Sequence, residues 1–250
     1  VPTKGTTAQR PPKHLEKGSI RYNTDIKNLE YYRGHTLGWS QFELIDPDLG
    51  GGTGSNTGNG TRIFCAGGTD SGSDSAVIDF GTTSTLGNFQ DFGDLLSTVA
   101  FPNDSRACSR TRGIVAGSGD NEGNVIQFIT VASLGDATDF GDLTYSNMQG
   151  HGFSNNVRGV FAGGYSPQPS VVDTVNYITI AQTGNAVDYG DLVNKGRGGA
   201  SYASSTRGVI HAGRHSPDGS FGNAAITNVI QFTTIMTTGN FSDFGDATAA

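Results

Sequence analysis

Cysteine, methionine and tryptophan are nearly missing: 250 residues hold two, two and one of them. Cys65 and Cys108 are too few for a disulfide framework, and nothing beside them has metal-ligand spacing. Charged residues make up only 16% of the chain, and no apolar run reaches the roughly 18 residues a membrane helix needs, so no membrane insertion is expected. The N-terminus lacks an apolar segment of the signal-peptide kind. A sustained 3.6-residue apolar period is also absent, which argues against helical solenoids. No Walker loop, no nucleophile–base–orienter set and no cofactor motif occurs, so no catalytic residue, cofactor or metal is assigned. His211 and His215 stand four apart on a strand-to-turn segment, which is not a metal motif.

Lysine is confined almost wholly to the first residues. Residues 1–34 carry seven Lys/Arg against three Asp/Glu, and the remainder nine against twenty, so a basic arm precedes an acidic body. From residue 61 onward the only lysine is Lys195. The acidic body argues against nucleic acid as a partner. The arm either touches an acidic surface, most simply a neighbouring protein, or is solvated.

Glycine, by contrast, is abundant, with 38 residues recurring at fixed places. They punctuate a repeat. Four aromatic pairs stand twelve residues apart: Phe80/Phe92, Phe128/Phe140, Tyr177/Tyr189 and Phe232/Phe244. Each second aromatic lies in an Asp-aromatic-Gly-Asp block whose closing residues are Asp94, Asp142, Asp191 and Asp246. Each unit opens on an arginine, Arg62, Arg112, Arg158 or Arg207, followed by a short apolar run and small residues. Such a run reads as a buried strand closed by a turn. The first aromatic sits in a β-branched strand. Gly-Asn or Gly-Asp then makes a tight hairpin into the block strand. A Ser/Ala/Gly-rich fourth strand, such as 198–203, leads to the next arginine. Periodicity of this length marks a repeat architecture.

Four short antiparallel strands per unit of about 49 residues describe one propeller blade. The apolar strand ending in Gly-Gly and the distal aromatic strand resemble kelch-type blades, although Phe or Tyr stands where kelch usually has Trp. The expected fold is all-β: a small, about four-bladed kelch-like β-propeller at 49–250, after an N-terminal arm and β-hairpin module at 1–48. The blades are placed at roughly 61–110, 111–156, 157–205 and 206–250. The last unit stops soon after its third strand. Either the segment before Arg62, including Leu49 to Gly54, closes the ring, or the ring stays open and another chain completes it. By repeat position Cys65 matches Val115, Phe161 and Ile210, which favours a buried free thiol and leaves a disulfide open.

Fourfold repetition assigns Arg62, Arg112, Arg158 and Arg207, with Asp94, Asp142, Asp191 and Asp246, to an internal lattice of charge-assisted hydrogen bonds. Calcium would need six to eight converging oxygens, which two Asp three apart do not supply. The loop between the Arg strand and the first aromatic varies, with steps of 12, 10, 13 and 19 residues. Variable loops on a constant scaffold are either binding elements or drifting surface. The binding reading selects Tyr165, Gln168, Asp173, Arg214, His215, Asp218 and Phe221.

Near the N-terminus, Gly5-Thr6-Thr7-Ala8-Gln9-Arg10-Pro11, the Arg21-Tyr22-Asn23-Thr24 strand, the aromatic Tyr31-Tyr32 strand and Gly38-Trp39 resemble a short module of tailed-phage tail fibres and other virion appendage proteins. The resemblance implies a non-enzymatic virion structural protein, extracellular on a phage tail or particle surface, with other virion proteins as partners. It further implies host adsorption through receptor binding, with a host-surface glycan as ligand, and a homo-oligomer, a trimer being plausible. Attachment is assigned to Arg10, Ile20, Tyr22, Tyr31 and Trp39, because a lone hairpin of this size is marginal in water. The alternatives are a glycan-acting or oxidase-type propeller enzyme, a capsid or tail decoration, and a cellular kelch-like interaction protein.

Overall fold

The structure is a computed structural model that describes residues 3–11, 15–41, 62–70, 72–83, 85–99, 105–117, 123–165, 170–220, 222 and 225–248. It is all-β: apart from one 3-10 turn at Thr7–Gln9, every regular element described is a strand, gathered into small and mostly antiparallel sheets. The chain divides into two compact units, Val1–Asp46 and Pro47–Ala250. The segment from Leu49 to Gly54, expected to close a ring, lies outside the described residues.

The N-terminal unit is one four-stranded sheet. Thr3–Gly5 pairs parallel with Ile20–Asn23, which pairs antiparallel with Asn28–Tyr32, and that strand with Trp39–Gln41. Its buried face is ionic. Glu30 has no exposure and accepts hydrogen bonds from Arg10 Nε at 3.2 Å, Arg10 Nη2 at 2.5 Å and Asn23 Nδ2 at 3.1 Å. Arg21, also buried, lies 3.5 Å from Glu30, donates to the Thr6 carbonyl and stands over the Trp39 ring. Strand alternation then turns Ile20 and Tyr22 outward, and both are exposed. Both belong to the residues expected to need a partner for their burial. The period-2 pleat gives the inner positions to Arg21 and Asn23, and both pair with Glu30.

The repeats form four sheets, I to IV. Sheet I joins Arg62–Ala66, Val77–Thr82 and Gln90–Asp94, with a small hairpin of Thr69–Asp70 and Ser73–Asp74 between its first two strands. Sheet II orders Arg106–Cys108, Arg112–Ala116, Val125–Thr130 and Thr138–Asp142. Sheet III orders His151–Ser154, Arg158–Ala162, Thr174–Thr179 and Val187–Asp191. In sheet IV both Gly196–Arg197 and Ala200–Ala203 pair with Arg207–His215, followed by Ala225–Thr234 and Ser242–Asp246.

This pairing corrects the unit boundaries drawn at residues 110/111, 156/157 and 205/206. The small-residue strand belongs with the arginine strand after it, not with the block strand before it. The cause is a turn three residues before Arg112, Arg158 and Arg207. Asn155 Oδ1 accepts from the Val157 and Arg158 amides, and its own amide donates to the Arg158 carbonyl. Ser109 and Ser204 make the same turns before Arg112 and Arg207. Side chains that mimic a backbone turn lock a hairpin this short.

Consecutive sheets dock face to face with one repeated chemistry. The forward face of sheet II, including Ala107, Ile114, Ile126 and Phe140, packs on Phe161, Ile178, Ile180 and Ala186 of sheet III. The same positions join I to II and III to IV. In each unit the arginine guanidinium stands over the first aromatic ring, at 5.0, 4.4, 4.1 and 4.9 Å from sheet I to IV. The two aromatics of each unit meet edge to face, 5.7–6.0 Å between ring centres. Arg62, Arg112 and Arg158 then donate to the carbonyls of Val131, Ile180 and Ile235 in the following sheet, at 2.6, 2.8 and 3.0 Å. The amides of Leu96, Thr144 and Val193 donate across the same junctions to Gln127, Asn176 and Gln231, all buried.

The block glycine is explained by the same docking. Gly93, Gly141 and Gly190 have φ of +146°, +142° and +140°, and a Cβ there would meet the turn glycine of the next sheet at 2.5 Å. That turn glycine donates its amide to the carbonyl of the block aromatic, as from Gly184 to Phe140 at 2.7 Å. Three of the four arginines thus bond across a junction to backbone carbonyls, whereas the block aspartates take part through their backbones. Asp94, Asp142 and Asp191 donate amides to the side chains of Asp136, Asn185 and Asn240. Among the described residues no block carboxylate pairs with a repeat arginine.

Neither Cys65 nor Cys108 forms a disulfide, and Cys65 is exposed, not buried. Its counterparts Val115, Phe161 and Ile210 pack against the preceding sheet. Cys65 lies in the first sheet, so no repeat precedes it.

Candidate functional site

The loop candidates that the structure describes gather where the loops of sheets III and IV meet. Gln168 and Phe221 lie outside the described residues. The long step in the fourth unit becomes an extension of one hairpin: its arginine strand runs nine residues and its aromatic strand ten, against five and six in sheet III. The tip folds onto the sheet III loop. Ser170 bridges to Ser220, and the Val171 amide donates to the Gly219 carbonyl at 2.7 Å.

Tyr165 is 3% exposed, bridging Met148 and Val171. Burial raises its phenol pKa against the lowering influence of Arg197 and Arg214. Arg197 stands 4.6 Å above its ring and donates Nη1 to Gln149 Oε1 at 2.6 Å. Burial lowers the Arg197 pKa, Tyr165 raises it and the like charge of Arg214 lowers it. Arg214 lies directly opposite Arg197 in the strand register, and His215 opposite Gly196. Arg214 is exposed and His215 half-buried. Lys195 accepts the Ser216 amide on its carbonyl at 3.1 Å, and its Nζ lies against Gly219. The only lysine of the repeats, a buried arginine and an exposed arginine thus share one patch of an otherwise acidic unit.

Asp218 is drawn into its own turn, accepting from the Ser220 amide at 2.8 Å. Asp173 accepts the Leu192 amide on its carbonyl, and its charge, after burial, helps to raise the Asp191 pKa. Of the loop candidates, Arg214 is exposed and His215 half-buried, whereas Tyr165 and Asp218 hold the loops together. Sequence reasoning missed Arg197, Lys195 and Gln149, because they lie outside the variable loops from which the binding candidates were drawn. The run Lys195-Gly196-Arg197, basic in an acidic body, was the available signal.

His151 was missed as well. It is 2% exposed at the start of sheet III, and its Nδ1 has no partner among the described residues. Burial pulls its pKa down to about 4. A cavity of about 520 Å³ elsewhere is lined from all four sheets, including Phe64, Ala107, Gly152 and Tyr202. The two arginines at its wall, Arg62 and Arg106, already donate to the Val131 and Ala66 carbonyls. It therefore offers a ligand less charge than the loop patch does.

Among the described residues no three His, Cys, Asp or Glu are placed to hold a metal ion, and no helix is long and apolar enough to cross a membrane. No protein-family model and no curated protein matches the chain.

Proposed function

We propose that the chain is a non-enzymatic virion structural protein, a tail fibre or tail-associated appendage. In this reading the repeats are blades of a small kelch-like propeller, and the loop patch of sheets III and IV binds a host-surface glycan. The observation that carries the reading is the patch itself: Lys195, Arg197 and Arg214 gathered with Tyr165 and His215 beside the longest of the variable loops. Charge-assisted donors such as the exposed Arg214 suit sugars carrying carboxylate or similar groups. The N-terminal unit supplies attachment. Its core is satisfied internally by Arg10, Arg21 and Glu30, which leaves Ile20 and Tyr22 facing outward for another virion protein or for a homo-oligomeric contact such as a trimer.

The test is adsorption. Purified protein added to susceptible cells is expected to bind and to compete with intact phage. Arg214→Ala with His215→Ala should abolish both while leaving the circular dichroism unchanged. Unaltered adsorption by that variant would remove the patch from the reading, and absence of any adsorption would remove the receptor role.

A further inference from the structure

The sheet-to-sheet junction is built three times, and its two halves are left exposed on sheets IV and I. On the forward face of sheet IV, Phe244 is 53% exposed, although its counterparts Phe92, Phe140 and Tyr189 are 2–3% exposed. Gly245 has φ +132° like the other block glycines, yet a Cβ there would meet nothing within 4 Å. Arg207 stands over Phe232, but among the described residues no carbonyl accepts from it as Val131, Ile180 and Ile235 accept from the other three. On the rear of sheet I, Leu86-Gly87-Asn88-Phe89 occupies the place of the docking turns, and both Leu86 and Phe89 are exposed.

The residue types at the two ends match each other. At the III–IV junction, Phe241 inserts between Phe153 and Tyr189, with ring centres 6.2 and 6.4 Å away. At the II–III junction all three positions differ in step: Ala186 packs with Ala107 and Phe140. The end faces repeat the aromatic version. Phe89 stands at the Phe241 position, Tyr202 at the Phe153 position and Phe244 at the Tyr189 position, and Tyr202 is 61% exposed. Asn88 stands at the position of Asn185 and Asn240, which accept block amides.

We propose that the forward face of sheet IV docks the rear of sheet I of a second copy of this chain, head to tail. Phe89 of one copy enters between Tyr202 and Phe244 of the other. The Gly87 amide donates to the Phe244 carbonyl, and Asn88 Oδ1 accepts the Asp246 amide. Within one chain the two faces do not meet, since Phe89 and Phe244 are both open to solvent. The contact is heterologous, so repetition of it generates a ring or a filament and not an isologous dimer. It continues an interface already present inside the molecule, and aromatic insertion is its anchor.

The experiment uses the full chain with Cys65→Ser and Cys108→Ser as background. Asn88→Cys is placed in one preparation and Asp246→Cys in another, and the two are mixed under mild oxidation. The expected result is a disulfide-linked dimer in the mixture only, lost when Phe89→Asp is added to the Asn88→Cys chain. Three outcomes would overturn the proposal: no cross-link in the mixture, equal cross-linking in either preparation alone, or an internal disulfide in the Asn88→Cys/Asp246→Cys double variant at high dilution. Cys65, Asn88, Phe89 and Asp246 are exposed and Cys108 is half-buried, so the variants are expected to fold, and circular dichroism verifies it.

Discussion

Gly141→Ala isolates the force that joins one sheet to the next. Gly141 has φ +142°, and an added Cβ would lie 2.5 Å from the Gly184 carbonyl carbon and oxygen. Gly135→Ala is the matched reference: φ is +138°, but its Cβ would meet nothing within 4 Å. Both variants bear the backbone strain of an L-residue in this region, about 1–3 kcal/mol. Only Gly141→Ala must also push sheets II and III apart. That separation weakens the amide bonds from Gly184 to Phe140 and from Ala186 to Asp142, 2.7 and 2.8 Å long. Two such bonds at about 1 kcal/mol each, with overpacking of about 1–3 kcal/mol, give an excess of roughly 3–5 kcal/mol. For a domain of this size that excess lowers Tm by roughly 6–20 °C relative to Gly135→Ala. Thermal and urea unfolding followed by far-UV circular dichroism measures it, because the repeats hold most of the strands. Equal destabilisation by the two variants would refute the claim that the block glycine is there for docking.

Arg112→Lys should cost about 1–3 kcal/mol in urea unfolding, since it loses both the stack on Phe128 and the bond to the Ile180 carbonyl. Arg207→Lys, measured at a dilution that keeps the chain monomeric, loses only a stack and should cost less. Glu30→Gln leaves Arg21 buried without its counter-charge, a loss of about 3–5 kcal/mol for the N-terminal unit alone. Fluorescence of Trp39, the only tryptophan, reports that unit. The Arg10 hydrogen bond holds the Glu30 carboxyl below its ordinary 4.5 despite opposing burial. Its contribution is therefore present above that pH and lost as pH falls through the lowered value, so Trp39 should report acid unfolding that Glu30→Gln no longer shows. His151 has a folded pKa pulled from 6.5 to about 4. The repeat unit should lose about 3 kcal/mol between those pH values through this group. His151→Gln should remove that part of the pH dependence, and an unchanged slope in urea midpoints would contradict the burial argument.

The hairpin of each repeat was legible because its signals are local. A positive-φ glycine, an aromatic and a β-branched run act within twelve residues, and the strand pairs at Phe80/Phe92 and its counterparts followed directly. The unit boundary was misplaced although its signal was also local. Ser109, Asn155 and Ser204 look like ordinary loop residues until their side chains are seen capping the amides three residues on. The ionic core of the N-terminal unit was not legible, because strand parity and the reach of Glu30, not hydrophobicity, put Arg21 and Asn23 inside.

The repeat, its strands and the places where its length varies are written along the chain, since period and turn chemistry are properties of sequence neighbours. What the constant residues are for emerges only when the sheets pack. Arg112 meets Ile180 across 68 positions, and Gly141 meets Gly184 across a junction that no local pattern encodes. The tertiary structure also gathered Lys195, Arg197 and Arg214 from two segments onto one surface. Contacts between units depend on how faces stack, and stacking is fixed by complementary surfaces that exist only once the strands have paired.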